Sequence, residues 1–98
     1  MNTPATPSLD RSARVQRVAD VLSAEVDGEA VLMSIEKGFY FGLDDIGSDV
    51  WRRLEEPVGV AALAAALAED YDGDPAVIEH DVIALLTDMA ANGLVEVG

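Results

Sequence analysis

The sequence predicts an α+β fold: a three-stranded antiparallel sheet followed by three helices. Apolar residues alternate with period two over residues 18–43, and from residue 46 onward the apolar spacing lengthens to three and four. The two regimes are segregated along the chain rather than interleaved, which separates an α+β order from an alternating α/β one. At 98 residues without cysteine, the chain has room for one core of this kind and none for a second domain.

Each element has its own signal. The first ten residues hold two prolines, two threonines and a serine with little to bury, so residues 1–17 are expected to be a flexible tail ahead of a domain over 18–98. Where the tail meets the domain, Arg14, Val15, Arg17 and Val18 fit either a short helix or an extended lead-in. A first strand over 18–26 sets Leu22, Ala24 and Val26 against Ser23 and Glu25, and Asp27-Gly28 turns the chain. A second strand over 30–36 sets Val31, Met33 and Ile35 against Leu32, Ser34 and Glu36. Lys37-Gly38 then offers a residue able to take positive φ. The third strand, 39–43, places Phe39, Phe41 and Leu43 on the core side and Tyr40 with Gly42 on the other.

The helices come next. Asp44 or Asp45 can cap a helix carrying Ile46, Val50, Trp51 and Leu54, which Pro57 ends. Residues 60–71 form an alanine-rich helix with Leu63, Leu67 and Tyr71 four apart. Asp74-Pro75, an acidic cap followed by proline at the first helical position, opens a third helix that runs to Asn92 and stops at Gly93. Along it Ile78, Val82, Leu85 and Met89 form the expected core stripe, flanked by Ile83 and Leu86, and Leu94, Val95 and Val97 close the chain as an extended end. Trp51 and Leu85 are both expected in the core.

Charge narrows the function. The chain carries a net charge of −13, and residues 21–98 hold three basic against seventeen acidic residues, so nucleic acid and anionic membranes are poor partners. No apolar run approaches the roughly 20 residues of a membrane span, and MNTPATPSLD has neither region of a signal peptide, so a cytoplasmic protein is expected. Without cysteine there is no thiolate nucleophile or thiolate metal site. His80, the sole histidine, has no second base or ligand in a recognisable spacing and reads as a helix-surface residue. In Asp70-Tyr-Asp-Gly-Asp74 the glycine is fourth and Asp81 stands twelfth, against the sixth and twelfth positions a calcium loop needs, so a turn and helix cap is the better account. The glycines never form a phosphate-binding fingerprint. Paired acids such as Asp44-Asp45 and Glu55-Glu56 sit in no evident pocket and read as a solvated surface. No catalytic residue, cofactor or metal is implied.

What remains is the aromatic third strand, with an aspartate-capped helix directly after it. An open edge on that strand could accept an extended peptide as a further strand. Here the order of motifs matters: Val26-Asp-Gly-Glu-Ala-Val-Leu-Met33, Gly38-Phe-Tyr-Phe-Gly-Leu-Asp44, Ile46-Gly47, Val50-Trp51, Leu54, Asp70-Tyr71, Asp74-Pro75, the stretch 79–86 and Gly93-Leu94. Together they resemble the PqqD-like family of peptide-recognition proteins, the recognition elements of ribosomally made, modified peptides, over roughly residues 18–95.

That resemblance implies a small winged-helix-like domain without catalysis of its own. It would bind the leader segment of a precursor peptide as an added strand and hand it to a processing enzyme. The short chain, Tyr40-Phe41 before Gly42-Leu43-Asp44 and the Ile46-Gly47 to Trp51 spacing are most similar to the recognition subunit of split lasso-peptide systems, whose partner is a separate leader peptidase. The quinone-cofactor branch of the family is the alternative. Carried over residue by residue, the family site implies main-chain contacts along Phe39, Tyr40, Phe41, Gly42 and Leu43 and side-chain contacts from Ile78, Asp81, Val82 and Leu85. Ile78 and Val82 also belong to the expected core stripe, so they meet a peptide only if the cleft cuts into it. Asp81 and Asp88 favour a leader with basic character. A winged-helix DNA-binding protein is the competing reading from another class, and the acidic surface weighs against it.

Overall fold

The computed structural model describes residues 9–97. In chain order the elements are β1 (Arg14–Arg17), β2 (Val21–Val26), β3 (Glu29–Ser34), β4 (Phe39–Gly42), α1 (Asp45–Arg53), β5 (Val58–Gly59), α2 (Val60–Tyr71), α3 (Pro75–Ala91) and β6 (Val95–Val97). They make two small antiparallel sheets, ordered β2-β3-β4 and β5-β1-β6, with three helices.

The β2-β3-β4 meander is where the sequence placed it. Asp27 and Gly28 both take positive φ, 53° and 85°, the two-residue turn whose twist matches that of the strands it joins. Gly38, at φ 71°, closes the next turn, and there the Lys37 N–H donates to Ser34 Oγ at 3.2 Å. The alternation of β3 holds, and the face that packs inward is the one carrying Ala30, Leu32 and Ser34. Ala30, Leu32 and Ser34 are buried, whereas Leu22, Val26, Ile35 and Tyr40 stand exposed. Cross-strand register explains the grouping, since Leu22, Met33 and Tyr40 form one row and Ser23, Leu32 and Phe41 another. Leu32, Phe39, Phe41 and Leu43 therefore share the helix side, where the two phenylalanines pack half-buried against the core.

The second sheet corrects the N-terminal boundary. Residues 14–17 are not tail but the central strand of β5-β1-β6, with Val15 only 1 % exposed between Val58 and Val97. The tail expected over residues 1–8 lies outside the described residues. Just upstream of β1, the Ala13 and Arg11 carbonyls accept from the Val60 and Ala61 N–H groups at 2.9 and 3.1 Å. These bonds take the place of a side-chain cap that Gly59 cannot supply.

Local chemistry sets the other helix ends. Asp44 Oδ1 accepts from the Gly47 N–H at 2.8 Å and Asp74 Oδ1 from the Ala76 N–H at 2.9 Å, each capping its helix. Asp72 adopts the left-handed conformation that ends α2, so the acidic run before α3 serves as turn and cap. After α3, Gly93 turns at φ 74° and the Leu94 N–H returns to the Met89 carbonyl at 2.9 Å. No helix among the described residues is long and apolar enough to cross a membrane.

The core lies between the inner face of β2-β3-β4, the β5-β1-β6 sheet and the three helices. On α3 the fully buried residues are Val82, Leu86 and Met89, while Ile78, Ile83 and Leu85 are partly covered. The stripe is thus rotated from the expected one: Leu86 moves to its centre and Leu85 to its margin. Leu86→Ala is expected to cost about 2–5 kcal/mol by opening a cavity. Leu85→Ala should cost less than about 2 kcal/mol because its site is already open on one side. Urea denaturation of the two variants checks the order.

Candidate functional site

Among the described residues strand β4 is an edge, bonded to β3 on one side only. The Leu43 N–H donates to the Ala30 carbonyl at 2.9 Å, and the register sets Phe41 opposite Leu32 and Phe39 opposite Ser34. Main-chain direction alternates along an antiparallel strand, so Phe39, Phe41 and Leu43 turn their groups toward β3. Tyr40 and Gly42 present theirs outward.

Ser48 on α1 finishes that ladder. It is fully buried; its hydroxyl accepts from the Ala30 N–H at 2.7 Å and donates to the Leu43 carbonyl at 3.3 Å. The hydroxyl stands in for one missing strand-to-strand bond and locks α1 onto the end of β4. Ser48→Ala would strand both main-chain groups and is expected to cost about 1–3 kcal/mol. Faster amide exchange at Ala30 would show where the loss falls.

Two observations align β4 with α3. At one end Lys37, on the turn before β4, lies so close to the end of α3 that a Cβ at Gly93 would sit 3.1 Å from its Cε. At the other end Ile46, in the first turn of α1 just after β4, lines one cleft with Ile78, Asp81, Val82 and Leu85 of α3. The two elements therefore run antiparallel, and the cleft of about 90 Å³ at the Ile46 end is completed by Val50 of α1 and Leu67 and Tyr71 of α2.

Polar contacts hold that cleft in shape. The Tyr71 hydroxyl donates to Asp49 Oδ2 at 2.7 Å, Arg53 Nε donates to Asp49 Oδ1 at 3.0 Å, and Arg53 also pairs with Asp70. This chain of contacts ties α1 to the end of α2. The Arg53 guanidinium, with help from the Tyr71 hydroxyl, holds the Asp49 carboxyl below its ordinary carboxylate range.

The structure thus brings Ile78, Asp81, Val82 and Leu85 onto one cleft, and that cleft does cut into the core stripe, since Val82 is 3 % exposed and still lines it. Of the five third-strand residues, Tyr40 and Gly42 have main-chain groups that meet no partner strand among the described residues, whereas Phe39 and Phe41 turn theirs to β3 and Leu43 gives its N–H to β3 and its carbonyl to Ser48. Sequence reasoning missed Ile46, Val50, Leu67 and Tyr71 as cleft residues. Ile46 gave a signal, being apolar at a helix start one turn from the residues that bury the helix; the other three read as ordinary core. His80 is exposed on α3 beside Asp81 and is not itself part of the cleft lining.

Comparison with known proteins places this architecture. The profile of the family described as coenzyme PQQ synthesis protein D (PqqD) matches residues 29–95, most of the chain. The chain belongs to the PqqD family. It is 33 % identical over 90 residues to the bifunctional coenzyme PQQ synthesis protein C/D of Methylorubrum extorquens, covering 92 % of this chain but only 22 % of that protein's length.

Three solved PqqD-like structures are similar throughout. TbiB1 in complex with the TbiA(β) leader peptide has a TM-score of 0.77 at 34 % identity, covering 83 % of this chain and 94 % of TbiB1. A lasso peptide synthetase B1 complexed with the leader peptide gives 0.74 at 26 % identity, over 83 % and 95 % of the two chains. The solution structure of the PqqD truncation of Methylobacterium extorquens PqqCD, a stand-alone recognition element for ribosomally synthesised, modified peptides, gives 0.77 at 27 % identity, over 90 % and 94 %.

Proposed function

We propose that this chain is a non-catalytic adaptor that binds the leader segment of a ribosomally synthesised precursor peptide and presents it to a separate processing enzyme. The leader adds as a strand to β4, its main chain meeting Tyr40 and Gly42. One leader side chain enters the cleft walled by Ile78, Asp81, Val82 and Leu85. The observation that carries this reading is the main-chain edge of β4, unpaired among the described residues, beside an apolar cleft, in a chain similar to two proteins solved with a leader peptide bound.

The likeness to lasso peptide synthetase B1 supports a leader peptidase as the partner, in a cytoplasmic lasso-peptide pathway. The family profile and the Methylorubrum relative favour a second reading, in which the same groove serves a PqqD-type chaperone in quinone-cofactor synthesis. The helices and small sheets read as a winged-helix-like arrangement turned to peptide rather than DNA, since a net charge of −13 repels a phosphate backbone. That charge and Asp81 at the cleft suit a leader with basic residues, whose association then slows as salt rises.

The test is a titration of the 15N-labelled chain with the leader of a short precursor encoded beside its gene. Saturable amide shifts centred on 39–43 and 78–85 are expected. Saturable shifts that avoid β4 would overturn strand addition. Leader cleavage by the neighbouring peptidase that depends on this chain would select the lasso reading over the quinone-cofactor one.

A further inference from the structure

An antiparallel sheet with one face on the core usually carries polar residues on the other. The β2-β3-β4 meander does not. Its outward positions are Leu22, Ala24 and Val26 on β2, Glu29, Val31 and Met33 on β3, and Tyr40 and Gly42 on β4. Register sets Leu22, Met33 and Tyr40 in one row and Ala24, Val31 and Gly42 in the next, and Glu29, opposite Val26, is the one charged residue among them. Leu22 is 52 % exposed, Val26 56 % and Tyr40 74 %. An apolar face of three strands on a chain of net charge −13 marks a surface that another protein covers.

The ends of this face are acidic. At one end Asp27, Glu29 and Asp44 meet Val26, Val31 and Gly42 around a shallow cleft of about 430 Å³. At the other end Asp20 and Glu36 stand exposed with a single cation, Lys37. Arg52 of α1 reaches the first end from the helix side, where it pairs with Glu25 at 3.1 Å and donates to the Gly28 carbonyl at 3.3 Å. An apolar centre between acidic ends suits a partner whose own apolar patch is rimmed by Lys or Arg. A second copy of this chain would set acid against acid, which selects against it. The long stem of a Lys or Arg can lie along Val26 and Val31 while its head meets the three carboxylates.

We propose that the outer face of the meander is the docking surface for the processing enzyme, which binds through an apolar patch with a basic rim. The identity of that partner rests on the adaptor reading. The leader would take the main-chain edge of β4 and the cleft beside α3, on the helix side of the sheet, so the outer face stays open while the leader is bound. Enzyme and leader then occupy the chain together without displacing one another.

The test uses the full chain, the leader and the processing enzyme encoded beside its gene. Leu22→Gln/Val26→Gln changes two exposed side chains, so folding and leader affinity should be unchanged, while enzyme binding measured by calorimetry should weaken by about tenfold or more. Asp27→Asn/Glu29→Gln is a second variant that keeps the turn, since asparagine accepts the positive φ at 27. It should slow association at low salt by about threefold or more and flatten its salt dependence. Unchanged enzyme affinity in Leu22→Gln/Val26→Gln, or no enzyme binding to the wild-type chain with leader present, would overturn the docking face. Unchanged association in Asp27→Asn/Glu29→Gln would overturn the basic rim. A wild-type dimer in sedimentation that Leu22→Gln/Val26→Gln splits would also overturn the proposal, because the face would then belong to a second copy. Failure of the adaptor reading looks different: a wild-type chain that binds no leader, with enzyme binding still weakened in both variants, removes the leader and leaves the docking face standing.

Discussion

Removing residues 1–17 is expected to abolish cooperative unfolding, although the composition of that segment reads as a dispensable tail. Strand β1 is the middle strand of its sheet, so its loss strips the partner from both β5 and β6. Burial of Val15 contributes about 1.5–3 kcal/mol. The two bonds that Ala13 and Arg11 make to the start of α2, and each ladder bond of β1, contribute about 0.5–1.5 kcal/mol apiece. Arg17 is lost from the face of Trp51 as well. Against a total stability of about 5–15 kcal/mol for a domain of this size, little or nothing remains. Thermal melts followed by far-ultraviolet circular dichroism should show a sloping trace without a transition. Removal of residues 1–8 alone leaves all these contacts in place and is the matching control; a sharp transition in the longer deletion would mean that β1 is not integral.

The second large effect concerns binding. Proline at Tyr40 or Gly42 removes an N–H that points away from β3, so the ladder survives, as edge strands tolerate proline on their open side. Each substitution should weaken leader binding by about tenfold, the equivalent of one main-chain hydrogen bond, and the pair by about a hundredfold. Proline at Phe41 breaks the bond to Leu32 and should unfold the sheet instead. Calorimetric titration of the double variant, with its amide spectrum as the check on folding, measures the first effect. A folded double variant that bound leader with unchanged affinity would rule out strand addition to β4.

Much of this was legible without coordinates because it is set within a few residues. Asp27-Gly28 can only turn tightly, Asp44 and Asp74 cap α1 and α3, and Pro75 suits the first turn of a helix. The order of three strands and three helices comes from such signals. So does the aromatic strand, whose Phe39, Phe41 and Leu43 do face the helices. The four α3 residues of the cleft came through family resemblance, not through periodicity, which assigned Ile78, Val82 and Leu85 to the core.

Other features depend on partners distant in sequence. Val15 is one apolar residue among arginines and becomes core only because Val58 and Val97 arrive beside it. Which face of the meander is buried was undecided locally, since apolar residues occupy both and the packing of α1 chooses. Ser48 matters only because the β3–β4 ladder ends against it. The sequence alone determined the elements, the caps and the acidic surface, through local sterics and charge. Tertiary structure decided the second sheet, the buried face and the two free edge residues Tyr40 and Gly42, because strand pairing and burial are satisfied only between segments the chain brings together from far apart.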